Sequence, residues 1–182
     1  PENYRVINDQ LLRYNCEAGN VYYDEKYYFS GSSITKLSTD YEVMLDNVIL
    51  DTRTNTVRCV DNEPSSQELV RVLNEELSGY QTKIRKDRET GETIITVIDG
   101  DKTEKELARI QNGCLTGLNL YRTTELRDGF LKHNKTLKTL TAPKLKTMGN
   151  KCFCNNKTLR ELNIPELEEM GSDCFYYNKS LK

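Results

Sequence analysis

Asn134-Lys135-Thr136-Leu137-Lys138-Thr139-Leu140 is followed, 22 residues later, by Asn156-Lys157-Thr158-Leu159-Arg160-Glu161-Leu162. Related phrases begin at Asn112 and at Asn178, again at a spacing of 22 residues. A constant period in this range is typical of chains that build one structural unit several times and stack the copies. The repeat therefore organises the C-terminal third of the chain.

Apolar residues recur at the same places in every repeat. These columns are Leu126, Met148 and Met170; Leu131, Phe153 and Phe175; and Phe130, Cys152 and Cys174. One repeat cannot bury such side chains by itself, so the columns predict stacked repeats around a continuous apolar core. We interpret Met and Phe here as core and not as a cofactor site. Gly149 and Gly171 follow the Met column and are expected to supply a turn that other residues resist.

The asparagines that begin each phrase have two incompatible interpretations. Those at 134, 156 and 178 each match the glycosylation sequon. An inward asparagine in each repeat would instead pair its amide with backbone groups of the turns, and it would carry no glycan. The regular period favours the inward ladder.

A longer phrase covers residues 130–182: Leu-x-x-Leu-x-x-Pro-x-Leu-x-x-Met-Gly-x-x-Cys-Phe-x-x-Asn. It resembles leucine-rich repeats of the bacterial surface-antigen (BspA-like) type. The departures from that pattern are Cys152 and Cys174 at its alanine position, Asn156 and Asn178 at its cysteine position, Tyr121 in place of proline and Arg127 in place of glycine. The resemblance implies a right-handed solenoid with a parallel sheet on its concave face, and a binding module instead of an enzyme. It also suggests an extracellular or cell-surface location, with a cytoplasmic one as the alternative.

The predicted fold class is therefore α+β, with three parts. Residues 1–100 form a small α+β domain of unknown type, residues 101–113 a helical cap, and residues 114–182 about three leucine-rich repeats, the last incomplete, in a parallel sheet of 22-residue coils. The cap is predicted because a stack of repeats needs its first unit covered, and because Thr103 and Glu106 match a capping box.

The N-terminal hundred residues predict short elements. Strands with polar turns are expected over residues 1–35, with a hairpin over 21–29 whose tyrosines either pack across the strands or form an exposed patch. A strand is expected over 41–50. Ser65 and Glu68 match a capping box at the start of a helix that Gly79 ends, and residues 80–98 suggest a second hairpin.

Composition limits the function classes. The chain of 182 residues has 26 basic and 28 acidic side chains, and this balance argues against a dedicated nucleic-acid binder. No apolar run approaches the length of a membrane span. The start at Pro1 and the end inside a repeat suggest an excised or processed piece.

The residues of catalytic and metal chemistry are sparse. The sequence has six cysteines without a compact disulfide framework, and Cys152 and Cys174 are better explained as two buried thiols than as a disulfide. The single histidine, His133, is expected on the surface, and no zinc spacing, phosphate-binding loop or nucleophile motif occurs. We therefore predict no enzyme, no cofactor and no metal site.

Charges form two consecutive runs. The basic run is Lys132, Lys135, Lys138, Lys144, Lys146, Lys151, Lys157 and Arg160. The acidic run is Glu161, Glu166, Glu168, Glu169 and Asp173. A basic patch for an anionic partner is one interpretation. We favour pairing between neighbouring repeats, because Lys144 precedes Glu166, and Lys146 precedes Glu168, by one period.

The favoured function is a protein-interaction module. Its candidate partner-binding residues lie between the inward leucines, with Gly117 among them: Thr116, Asn119, Lys138, Thr139, Thr141, Arg160, Glu161 and Asn163. The resemblance extends this to a surface adhesion protein, and the last repeat edge is expected to self-associate if no further repeat covers it. The alternative is a ligand-binding or catalytic domain in residues 1–100 that the repeats target.

Overall fold

The N-terminal segment is a five-stranded antiparallel sheet in chain order. The computed structural model describes residues 41–60 and 63–182 in full, and before residue 41 it describes the backbone of five strands: β1 (Asn3–Ile7), β2 (Gln10–Cys16), β3 (Val21–Asp24), β4 (Tyr27–Ser30) and β5 (Ser33–Lys36). β3 pairs with β4 with Tyr22 opposite Phe29, so the hairpin prediction is confirmed for the backbone. The packing of its tyrosine side chains lies outside the described residues.

Three short antiparallel strands follow: β6 (Glu42–Leu45), β7 (Val48–Asp51) and β8 (Thr56–Cys59). The single strand predicted over 41–50 is therefore wrong. Asp46 adopts a φ of 53° and starts a tight turn, which folds the segment into a hairpin.

The helix α1 (Pro64–Leu77) covers these strands. Leu69, Val72, Leu73 and Leu77 are buried on one face, as predicted. The predicted capping box is wrong, because Glu63 is the N-cap residue and no side chain caps the helix. The carboxylate of Glu68 turns away from the helix terminus, toward Arg71 and the chain at Arg127.

The remaining strands are β9 (Gln81–Lys86), β10 (Thr93–Ile98), β11 (Glu104–Gln111), β12 (Cys114–Asn119), β13 (Glu125–Leu126), β14 (Thr139–Thr141), β15 (Thr147–Met148), β16 (Glu161–Asn163) and β17 (Glu169–Met170). The hairpin of β9 and β10 is confirmed. The helical cap over residues 101–113 is wrong, because β11 pairs antiparallel with β10 and β12. Thr96 Oγ1 donates to Glu104 Oε1 at 2.8 Å across that pair, so a residue of the predicted helix instead joins two strands.

The predicted fold class, an α+β domain followed by a separate solenoid of parallel coils, is also wrong. The described chain is mostly β, with antiparallel and mixed sheets and one helix. β14 and β16 join β12 in parallel, which makes one mixed six-stranded sheet in the order β16-β14-β12-β11-β10-β9. The repeat strands thus extend an antiparallel sheet because β11 and β12, and no helix, precede them.

One hydrophobic core joins the two parts of the chain. It contains Leu50 of β7 and Leu73 of α1 together with Leu118, Leu140 and Phe153 of the repeats. β13, β15 and β17 form a small parallel sheet at the opposite side of each repeat. The repeats are therefore built directly onto the N-terminal elements, and they have two ends with different surroundings.

Candidate functional site

Three repeat turns lie in strict register. We call residues 112–133, 134–155 and 156–177 the first, second and third turn. Gly117 of β12 lies opposite Thr139 of β14, which lies opposite Glu161 of β16, so each step is one sequence period of 22 residues. Contacts in one turn can therefore be compared with the equivalent contacts in the next.

The asparagine column points inward. Asn156 Nδ2 donates to Leu131 O at 2.7 Å, and Asn178 Nδ2 donates to Phe153 O at 2.7 Å. Asn134 and Asn156 are buried. The predicted ladder is confirmed at these positions, and the buried amides of Asn134 and Asn156 are closed to glycosylation.

The glycines of the repeat serve a close approach between turns. A Cβ on Gly149 would lie 2.6 Å from Asp128 N, and one on Gly171 would lie 2.7 Å from Asn150 N. Neither glycine has a positive φ, so the prediction that they supply a special turn conformation is wrong. Any side chain there would push neighbouring turns apart.

Burial of the apolar columns falls toward the C-terminal end. Leu126 and Met148 are buried, whereas Met170 is 53% exposed. Phe153 meets Phe175 in a stacked contact with ring centroids 5.3 Å apart. The thiols of Cys152 and Cys174 are free, and they donate to Arg127 O and Gly149 O at 3.1 and 3.0 Å. Burial raises the pKa of Cys152 to about 12, so this column is packing and not reactive thiol chemistry.

Asp46 seals the N-terminal side of the first turn. Within the stack, Leu137 N donates to Asn134 Oδ1. In the first turn Leu115 N donates instead to Asp46 Oδ1 at 3.0 Å, and Asn134 Nδ2 donates to Asp46 Oδ2 at 2.7 Å. The carboxylate of Asp46 thus replaces a ladder asparagine and the carbonyl of a missing earlier turn. Burial raises its pKa to about 7.

Two glutamates of α1 seal the other side of the first turn. Gly149 N donates to Leu126 O of the preceding turn, and Arg127 N, one period earlier, donates to Glu68 Oε1 at 2.8 Å. Glu76 accepts Arg122 N at 2.7 and 3.0 Å through its two oxygens, and burial raises its pKa. We call this side, covered by Asp46, Glu68 and Glu76, the sealed end. Sequence reasoning missed it, since its partners lie far apart along the chain.

The third turn has no such cover, and we call the outer side of residues 160–177 the open end. Arg160 N donates to Lys138 O at 3.0 Å, and Ala142 N donates to Asn163 O at 2.9 Å. By the same period, Arg160 O and Ile164 N are the groups that would meet a further turn. No backbone group of the described chain meets them. β16 and β17 are the edge strands of their sheets.

The open end is both apolar and acidic. Met170, Tyr176 and Tyr177 are 53%, 52% and 56% exposed, and they are the exposed large hydrophobic side chains of the described residues. The five acids of the acidic run are exposed as well. The ion pairs predicted between Lys144 and Glu166, and between Lys146 and Glu168, do not form within 4.0 Å. The acids therefore remain unneutralised.

The candidate partner-binding residues divide into two groups. Thr116 is buried and donates to Glu92 Oε2 at 3.2 Å, and Asn119 Nδ2 donates to Glu106 O at 3.1 Å. The half-buried residues are Lys138, Thr139 and Thr141, and the exposed residues are Arg160, Glu161 and Asn163. The structure thus engages the first-turn members in internal hydrogen bonds and leaves the third-turn members available.

Arg109 fills the sheet surface beside the first turn. Its guanidinium lies 2.6 Å from Glu106 Oε1 and 3.0 Å from Asp87 Oδ2. A Cβ on Gly117 would lie 3.5 Å from Arg109 Cβ, so the glycine leaves room for this arginine. The ion pairs occupy the surface next to Thr116 and Asn119, which leaves the third turn as the accessible part of the sheet.

A cavity of about 620 Å³ lies between α1 and the first two turns, lined by residues that include Arg71, Glu125, Leu126 and Met148. The segment 21–29, which the ligand-binding alternative would need, has its side chains outside the described residues. Among residues 41–60 and 63–182 no three His, Cys, Asp or Glu side chains cluster as metal ligands do.

His133 is exposed, as predicted, and its Nδ1 lies 3.2 Å from Asn155 Nδ2. Burial of the ring's surroundings, with Lys132 and Lys135 nearby, lowers its pKa. Helix α1, the one helix of the described chain, is too short and too polar to cross a membrane.

No known family model, no curated protein and no solved structure matches this chain. The resemblance to leucine-rich repeats therefore stays a prediction from the sequence pattern.

Proposed function

We propose that this chain is a protein-binding module whose binding site is the open end. The observation that supports this proposal is the difference between the two ends of the repeat turns. Buried carboxylates occupy the hydrogen-bonding groups at the sealed end, whereas the open end presents unpaired edge strands beside exposed Met170 and Tyr177.

An extended segment of a partner fits this surface. Exposed strand edges take up further strands through their free backbone groups, and neighbouring pockets for alternate side chains supply specificity. Here Arg160 O and Ile164 N supply the backbone groups, and Met170 supplies an apolar contact that Leu126 and Met148 make inside the stack. Of the candidate residues from the sequence, Arg160, Glu161 and Asn163 belong to this site.

A peptide-display selection tests the proposal. A library of random 12-residue peptides is panned against the full chain, and retained peptides are measured again on a variant with Met170→Asp and Tyr177→Asp. Both side chains are exposed, so the variant should fold normally. A matched control carries Arg88→Asp and Thr90→Asp, both exposed in the loop between β9 and β10.

We expect peptides that bind the wild-type and control chains and lose at least tenfold in affinity for the open-end variant. Selected peptides that bind all three chains equally, or no selected peptides, would refute the open end as the site.

A further inference from the structure

The contact between the second and third turns is a template for the partner. Glu168 N donates to Lys146 O at 2.8 Å, so the acidic turn lies in backbone register over the basic turn. Three acids therefore lie one period beyond a lysine: Glu166 beyond Lys144, Glu168 beyond Lys146 and Asp173 beyond Lys151. The inner side of the acidic turn is thus bordered by lysines.

The outer side of the acidic turn has the same backbone groups and no bordering lysines. Lys146 O accepts Glu168 N and Glu169 N, so Glu168 O is the next acceptor of this series. Lys151 N donates to Ser172 O, so Asp173 N is the next donor. Both edges are unpaired in the described chain, and the acids beside them have no cation within 4.0 Å.

A second copy of the open end is a poor occupant. Two such ends in contact would place Glu161, Glu166 and Glu169 of one chain among the same acids of the other. Like charges across strands destabilise the pairing. Charge complementarity instead favours a segment that carries lysine or arginine where the second turn carries Lys144, Lys146 and Lys151.

We infer that the open end binds a basic, strand-forming segment of another protein. The segment lies parallel to β16 and β17 and carries basic residues at a first position and at the second and seventh residues after it. This spacing is that of Lys144, Lys146 and Lys151. The inference rests on the proposed function and adds the charge and direction of the partner strand.

A pair of peptides tests it. The first is a fluorescein-labelled peptide with the sequence of residues 134–155, and the second is the same peptide with Lys144→Glu, Lys146→Glu and Lys151→Glu. Their binding to the full chain is measured by fluorescence anisotropy in 50 and 300 mM NaCl. Three exposed ion pairs, at about threefold each, predict that the lysine peptide binds roughly tenfold tighter at 50 mM. The preference should shrink at 300 mM because salt screens exposed charges.

Two variants of equal net charge separate a local preference from general attraction. Glu166→Lys with Glu168→Lys should reverse the preference, whereas Glu89→Lys with Asp101→Lys should retain it. All four residues are exposed.

Equal binding of both peptides to every chain would overturn the inference and leave the open end as a binding site. Binding of neither peptide would overturn both proposals. Sedimentation should show a monomer at 50 mM NaCl, and a dimer that Met170→Asp dissociates would identify a second copy as the occupant and refute the basic partner.

Discussion

Asp46 predicts an unusual pH dependence of stability. Burial raises its pKa from 3.8 to about 7 in the folded chain. The folded state therefore holds the proton more tightly than the unfolded state. The stabilisation from this group is complete below about pH 4 and is lost as the pH rises to about 7. A shift of this size corresponds to about 4 kcal/mol over that interval.

The assay compares urea unfolding of the wild-type chain with Asp46→Asn at intervals from pH 4 to pH 8. The amide keeps an acceptor for Leu115 N and does not titrate, although its NH₂ group faces Asn134 Nδ2. We expect the stability of the wild-type chain relative to the variant to fall by about 4 kcal/mol across this range. Taking the difference removes other groups, such as Asp51 and Asp87, whose pKa values are lowered by Arg53 and by Glu89 N–H respectively.

Asp101→Asn is the matched control, because Asp101 is exposed in a turn. Its stability relative to the wild-type chain should stay constant with pH. A constant difference for Asp46→Asn as well would refute the buried-carboxylate account of the sealed end.

Three further predictions follow from the repeat turns. Gly149→Ala should destabilise the chain by about 1–3 kcal/mol, since the new Cβ meets the backbone of Asp128, whereas Gly100→Ala, with no atom within 4 Å, should change stability by less than about 0.5 kcal/mol; chemical denaturation measures both. Asn156→Ala leaves the buried Leu131 carbonyl without its donor, so it should lower the free energy of unfolding by about 1–3 kcal/mol, and Asn178→Ala should lower it by less because Asn178 is partly exposed; equal losses would contradict the difference between the ends. Cys152 should resist iodoacetamide at pH 8 in the folded chain, because its thiol is buried with a raised pKa, and mass spectrometry that finds it alkylated as fast as in urea would contradict this packing.

The sequence was informative where one local pattern has one structural solution. The helix α1 follows from its apolar spacing, and the inward asparagines follow from their period. The segment 104–111 misled the prediction because Thr103, Glu106, Leu107 and Ile110 satisfy a helix pattern, while pairing with β10 and β12 decided the outcome. Glycine conformation was also misjudged, since the neighbouring turn at Gly149, and not its φ, excludes a side chain.

The sealed end was beyond prediction from the sequence for a different reason. Asp46 bonds to residues 69 and 88 positions away, and no motif marks such pairs. The candidate residues Thr116 and Asn119 failed similarly, because their internal acceptors Glu92 and Glu106 come from strands that the prediction had not placed beside them.

Hydrogen exchange at two equivalent amides tests the central claim most directly. Ala142 N donates to Asn163 O inside the stack, and Ile164 N, one period later, lies at the open end. In the free chain Ala142 N–H should exchange slowly and Ile164 N–H rapidly, and the lysine peptide of residues 134–155 should slow Ile164 alone. A protected Ile164 in the free chain, or one that still exchanges rapidly with the peptide bound, would contradict an open strand edge that takes a partner strand.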